Sequence, residues 1–173
     1  MRLEPAGAIG FRRVTEGDLA LVAQWLAAPH VARWWGDPEL ALAEVGQALV
    51  DPSTRPYLIL MDGRPVGYIQ DYDMHAEDDH PYRDQPRGTL GIDLSIGEAD
   101  LVGRGLGPRV IDAYVRKLFA EGVPRVVIDP EPDNTAAIRA YEKAGFTEFD
   151  RRTTRYGPAV IMKRDAKEEV RVP

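Results

Sequence analysis

"TLGIDLSIGEADLVGRGLGPRVIDAYVRKLFAEGVPRVVIDP", residues 89–130, decides the fold. Over 89–96, alternation puts Leu90, Ile92, Leu94 and Ile96 on one face and Gly91, Asp93 and Ser95 on the other, which is a strand. A polar, glycine-containing loop follows. Over 106–121, Val110, Ile111, Tyr114, Val115 and Leu118 recur at helical spacing. "RVVIDP" is then a second strand. Two strands joined by a helix of this length form a parallel pair with a right-handed crossover.

The flanking chain is mainly antiparallel in character. Upstream, "PYLILMDGRPVGYIQDYDM" carries Asp62-Gly63 between two β-rich runs, a hairpin signal. Before it come a short strand "FRRV" and a helix over 16–27, with Thr15 as N-cap and Asp18 three residues on. "HVARWWG" is a short helical or irregular segment, and a second helix runs over 38–50. Residues 75–88, "HAEDDHPYRDQPRG", are polar and read as a loop. Downstream, a helix over 134–144 closes on Gly145, and strands over 146–150 and 159–163 are joined by "RRTTRYGP". The tail from 166 is charged and expected to fray. The expectation is an α+β (mixed α/β) fold: one twisted mixed sheet flanked by helices, in a single domain over 1–173 with its core at about 11–163.

Composition narrows the function. With 44% hydrophobic and 29% charged residues the chain is an ordinary globular one. It has no cysteine and three scattered histidines, so disulfides and thiolate metal sites are out, no metal is expected, and the cytoplasm is the default compartment. Residues 1–10 lack the apolar region of a secretory signal, and no apolar run reaches the roughly 18 residues of a membrane helix. A net charge of −6 disfavours nucleic acid and anionic membranes and favours cationic small molecules.

Two features carry chemistry. "GRGLG", residues 103–107, lies between a strand and a helix, where glycines let backbone amides approach an anion at the positive end of the helix. It is neither a Walker loop nor a dinucleotide fingerprint, because Pro108 follows and a third spaced glycine is missing. Pro108 suits a first helical turn, and Arg104 and Arg109 add positive charge, so a pyrophosphate is a candidate ligand; a turn that only tightens packing is the alternative. Asp93 is the second feature. A carboxylate in the middle of a central strand needs a partner or marks a site. It is a candidate general base, acting directly or through water, or else it is paired with an arginine.

The loop, the strand "VVIDP" and "NTAAIRAYEKAGF" together resemble the GNAT superfamily of acetyl-CoA-dependent N-acetyltransferases. "RWWG", "PVGYIQDY", "GIDLSIG", "GRGLG", "DPEPDNTAAIRAYEKAGF" and "GPAVIM" occur in the order and spacing of the aminoglycoside 6'-N-acetyltransferase branch, over about 11–163. That resemblance implies a GNAT fold. It implies that the CoA pyrophosphate sits on Val102, Gly103, Arg104, Gly105, Gly107, Pro108 and Arg109, with Val102 departing from the usual Gln or Arg. It implies that Asn134 contacts the CoA arm and that Tyr141 lies near the thioester sulfur as general acid. Asn134 and Tyr141 share a helical stripe, so they can line one wall; packing of Tyr141 on Phe146 is the alternative for that side chain. The resemblance assigns Asp93 the base role, and Asp129 and Asp79 the binding of substrate ammonium groups. Asp129 otherwise braces its proline-rich turn. Tyr82 stands where the branch often has Trp, and Tyr156 where it commonly has Asp, a change that shifts acceptors toward more apolar amines.

Asp71, Asp73, Glu77, Asp78, Asp79 and Asp84 place six carboxylates within residues 71–84. They form either an acidic funnel for a polycation or a solvated loop. Of Trp34 and Trp35, Trp35 is the candidate pocket wall. The implied reaction moves acetyl from acetyl-CoA to an aminoglycoside amine, at the 6' position, by direct attack with no acyl-enzyme. The competing readings are the same chemistry on a hydroxylamine siderophore precursor, a polyamine or a protein N-terminus, and a non-catalytic acyl-CoA sensor. Monomer and homodimer both stay open.

Overall fold

In the computed structural model, residues 7–167 are described. They form seven strands and five α-helices: β1 Ile9–Arg13, α1 Leu19–Ala27, α2 Pro29–Trp35, α3 Pro38–Ala48, β2 Thr54–Met61, β3 Arg64–Asp73, β4 Leu90–Ile96, α4 Leu106–Ala120, β5 Arg125–Ile128, α5 Thr135–Lys143, β6 Thr147–Thr154 and β7 Gly157–Asp165. One sheet runs in the order β1-β2-β3-β4-β5-β7-β6. Every neighbouring pair is antiparallel except β4 and β5.

Local chemistry explains the boundaries. Asp62 and Gly63 both take positive φ (50° and 78°), the backbone a two-residue hairpin turn requires. Thr15 donates its backbone N–H to Asp18 (2.8 Å), but the box it forms heads a 3₁₀ turn, and regular α1 starts only at Leu19. Asp37 caps α3 by accepting from Glu39 and Leu40, with Pro38 at the first helical position. "HVARWW" lies in a true short helix, begun at Pro29. The last hairpin is longer than expected. β6 extends through Arg151–Thr154, and only Arg155 and Tyr156 turn the chain. Residues 151–154 of this edge strand, Arg-Arg-Thr-Thr, alternate between exposed and half-buried with no apolar member, so they lack the apolar signature of a buried strand. The expectation for the charged tail lies outside the described residues from 168 on, and that for the leader lies outside them at residues 1–6.

The two faces are covered differently. Val110, Ile111, Tyr114 and Leu118 of α4 pack on Ile69, Ile92 and Val126 on one face. The other face is covered in two pieces. Val22, Trp25, Leu26, Val31 and Val45 of α1–α3 pack on Leu58 and Tyr68. Met74 and Tyr82, from the 74–88 segment, pack on Val127 and Ile161 of the β5/β7 half. That segment is polar in sequence yet anchored by side chains that are fully or almost fully buried.

β4 and β5 are in register only at Leu90–Val126 and Gly91–Val127. Beyond that point β4 continues to Ile96, whereas β5 stops at Ile128. The sheet therefore opens between the C-terminal ends of its parallel pair, in the gap between the two covering layers. Among the described residues no helix is long and apolar enough to cross a membrane.

Candidate active site

A cavity of about 1020 Å³ occupies that opening. Its lining comes from both faces of the sheet: the start of α4 and one side of α5 from one, and β3, β4, α2 and α3 from the other. The cavity passes through the sheet, which gives it two chemically distinct ends.

One end is built on the glycine-rich turn. Gly103 and Gly105 take φ of 74° and 78°, a conformation that costs other residues free energy, and Gly105 is the N-cap of α4. A Cβ placed on Gly103 or Gly107 would find no atom within 4 Å. The glycines thus leave an open groove at the positive end of a 15-residue helix. Val102, Gly103, Gly105, Gly107 and Pro108 line the cavity here. Arg104 is exposed and is not on its wall. Arg109 is not there either; its guanidinium donates to the Gly7 carbonyl at 2.8 Å. The expectation that both arginines face the anion fails for a physical reason. Arg104 precedes the N-cap Gly105 and lies in the exposed turn, while Arg109, in the first turn of α4, reaches the carbonyl of Gly7.

Along α5, Asn134 is the N-cap rather than the first helical residue, accepting from the Ala137 N–H at 3.2 Å. Asn134 and Tyr141 both line the cavity. Tyr141 also packs on Phe146, with ring centroids 6.3 Å apart, so the wall and packing alternatives are compatible. Burial raises its phenol pKa, and the charges of Asp93 and Asp129 raise it further. It keeps its proton throughout the neutral range.

At the other end lie Asp93 and Asp129. Asp93 has no ion pair among the described residues. Its Oδ2 accepts from Gln70 Nε2 at 3.0 Å, and Gln70 Oε1 in turn accepts from the Tyr68 hydroxyl at 2.7 Å. Gln70 is the direct cross-strand partner of Asp93. Burial holds the Asp93 pKa above the usual carboxylate value, opposed by the Gln70 hydrogen bond and assisted by Glu44. Asp129 accepts from the Tyr82 hydroxyl at 2.6 Å. Burial, then the charge of Asp93, push its pKa up to about 7. Gly91 has a steric role: a Cβ there would lie 2.2 Å from the ring of Tyr72, its cross-strand neighbour and a cavity wall.

The remaining expected residues separate. Trp34 and Trp35 both line the cavity; Trp35 also meets Tyr68 edge-on at 5.9 Å, and Arg33 stacks over Trp34 at 4.8 Å. Tyr82 is not a wall residue. It is 1% exposed and lies behind Asp129, which it orients. Asp79 is off the wall as well, paired with Arg155 at 3.1 Å.

The acidic funnel is largely cancelled. Glu77 shares Arg155, Asp78 meets Arg83, Asp84 is held by Arg152, and Asp71 is buried against Arg55 and the Tyr114 hydroxyl. Of this segment Asp73 and Glu77 reach the wall, and the wall also draws acid from outside it, including Glu44, Asp51 and Glu131. Gln70 was within reach of sequence reasoning, since pairing the hairpin with residues 89–96 puts it opposite Asp93. Nothing in the sequence separates Glu44 from the other acids of its helix. No cluster suited to a metal ion occurs among the described residues.

One parallel pair in an otherwise antiparallel sheet opens beside a left-handed glycine turn. Residues 14–154 match the family described as acetyltransferase (GNAT) domain. The chain is 37% identical over 163 residues to aminoglycoside N(6')-acetyltransferase type 1 of Klebsiella pneumoniae, covering 89% of this chain and 81% of that one. It is 32% identical over 149 residues to lysine N-acyltransferase MbtK of Mycolicibacterium paratuberculosis, covering 83% and 66%. The crystal structure of aminoglycoside acetyltransferase AAC(6')-Ib in complex with coenzyme A and kanamycin superposes with a TM-score of 0.83 at 34% identity, covering 91% of this chain and 95% of that one. The protein belongs to the GNAT acetyltransferase family.

Proposed function

We propose that the protein transfers acetyl from acetyl-CoA to a primary amine of an aminoglycoside, at the 6' position, by direct attack. The observation that carries this reading is the pair of carboxylates, Asp93 and Asp129, facing one cavity with Tyr141 and supported only by neutral donors. The names of the relatives set the acceptor class: an aminoglycoside acetyltransferase at 37% identity, and a structure that holds coenzyme A and kanamycin together.

The glycine groove at the start of α4 fits a diphosphate, because its backbone faces open space and no side chain fills it. The acceptor arrives as an ammonium, which has no lone pair to attack with. A carboxylate without a counter-ion attracts that cation and takes its proton, directly or through water, and a raised pKa brings it closer to the proton it must accept. The new C–N bond forms as the C–S bond breaks, and Tyr141 supplies a proton toward the departing thiolate. Asp129, oriented by Tyr82, and Glu44 contribute charge that holds a polyamine. The absence of cysteine agrees with a route that has no acyl-enzyme.

A second reading, acetylation of a simpler amine, is favoured by one observation. Tyr156 stands exposed on the cavity rim, so the rim there offers an aromatic ring rather than a carboxylate to the acceptor. Thiol release from acetyl-CoA against kanamycin, spermidine and a hydroxylamine separates the two. Saturation by kanamycin alone supports the proposal, whereas equal turnover of spermidine contradicts it.

A further inference from the structure

The chain has three histidines, and two of them use Nε2 on a main-chain carbonyl: His30 on Ile96 at 2.9 Å and His75 on Gln85 at 3.0 Å. His80 is arranged the other way round. Its Nδ1 accepts the backbone N–H of Tyr82 at 3.1 Å, and its Nε2 has no hydrogen-bond partner among the described residues. Only a ring nitrogen with a free lone pair can receive an N–H, so the proton of the neutral ring sits on Nε2. Burial lowers the His80 pKa from its ordinary value, assisted by Arg155 and His75 and opposed by the charges of Glu77 and Asp79. Protonating Nδ1 would also break the bond from Tyr82. The ring therefore stays neutral, with one N–H, at neutral pH.

This ring stands at the carboxylate end of the cavity. It is half-buried on the wall, with its centroid 5.6 Å from that of Tyr72 and 5.4 Å from that of Tyr82. Tyr82 holds Asp129, and Tyr72 pairs across the sheet with Gly91, two residues before Asp93. The Nδ1 edge of the ring is turned to the main chain at Tyr82, which leaves the Nε2 edge for the cavity. The two carboxylates serve the ammonium groups of an acceptor but offer nothing to its neutral oxygens. Those oxygens need a donor, and a charged donor such as a lysine would repel the ammonium groups beside them. A neutral N–H held in one tautomer meets both requirements.

We propose that His80 is a specificity-determining residue whose Nε2–H donates to a hydroxyl of the sugar ring that bears the reacting amine. This rests on the aminoglycoside reading above. The test compares acetylation of kanamycin B with that of its 3',4'-dideoxy derivative, which keeps every amine and lacks two hydroxyls of that ring. Three proteins are assayed: the wild type, His80→Phe, which keeps a ring against Tyr72 and Tyr82 but has no N–H, and His80→Gln, whose amide replaces the donor. Nitrogen-15 NMR of the histidine rings, with and without kanamycin B, needs no turnover.

The wild type is expected to show a KM about fivefold higher for the dideoxy compound, the scale of one hydrogen bond between neutral groups. His80→Phe should show the same raised KM for both compounds, with the KM for acetyl-CoA unmoved, and His80→Gln should restore the discrimination. The NMR spectrum should show the Nε2–H tautomer of His80, with its Nε2 signal shifted by kanamycin B. Equal KM values for the two compounds in the wild type overturn the donor and leave the aminoglycoside reading standing. Discrimination that survives in His80→Phe also overturns it, by assigning the hydroxyl contact elsewhere, and so does an Nδ1–H tautomer. Turnover of neither compound overturns the aminoglycoside reading instead. The NMR titration then still decides the donor, since an Nε2 signal unmoved by kanamycin B overturns it as well.

Discussion

Within residues 71–84 acid meets base. Arg155 takes Glu77 and Asp79, Arg152 takes Asp84, and Arg55 reaches Asp71 in the interior. On the cavity wall nearby, Asp93 and Asp129 receive only a carboxamide and a phenol. The contrast shows in their proton affinities. Arg152 holds the Asp84 pKa below the usual carboxylate value, while burial lifts those of Asp93 and Asp129 above it. A carboxylate matched by a guanidinium has little attraction left for a cationic substrate and little appetite for its proton. The density of acid along the chain is thus a poor guide to the site; the missing counter-ion is the better one.

The strongest test of this contrast removes one charge from each class. Asp93→Asn is expected to lower turnover by about 10²- to 10⁴-fold, the range for a general base, while the KM for acetyl-CoA moves less than about twofold. A thiol-release assay measures both, and equal loss in the two constants contradicts the role. Asp71→Asn should behave in the opposite way. Arg55 is one third exposed and keeps Glu121 at 3.0 Å, so losing the Asp71 charge costs on the order of 1 kcal/mol of stability. Urea unfolding should show it, with catalytic constants at low temperature close to those of the wild type.

Asp129 gives a smaller effect than Asp93, with a sign that depends on pH. Its folded pKa of about 7 lies above the ordinary 3.8, so the proton binds more tightly in the folded state. That contribution to stability is present at low pH and is lost as pH rises through 7. Asp129→Asn should therefore exceed the wild type in stability above pH 7, by on the order of 2 kcal/mol for a partly exposed group, with the gap closing below pH 4. The wild type should lose acceptor kcat/KM by up to about fivefold between pH 7 and pH 6 as Asp129 protonates, and the variant should be flat there. Melting curves and a pH–rate profile check the two halves. The smallest effect belongs to Asp79→Asn. Its charge is already matched by Arg155 at an exposed site, so acceptor KM should change by less than about twofold.

Much of the fold was legible because its elements repeat with clean periods. The β4–α4–β5 crossover, the Asp62-Gly63 hairpin and the glycine turn each have a local cause. β6 was undercounted because an edge strand needs no apolar stripe. The sequence put residues of the 103–107 turn and Asp93 on one cavity wall, because a glycine turn and a charge that interrupts a strand each leave a local mark. It was misleading where long side chains choose their own partners. Arg109 reaches Gly7, Asp79 reaches Arg155, and Tyr82 goes inward to Asp129. Those choices join residues 47 to 102 positions apart, and no local pattern records them.

Carbon-13 NMR titration of the aspartate carboxyl groups, assigned through single Asn variants, addresses the contrast directly. Asp84 should titrate below the usual carboxylate range, Asp93 above it and Asp129 at about 7. If Asp93 and Asp129 instead titrate together with Asp84, the cavity floor is as well matched as the loop, and the chemistry assigned to it here is wrong.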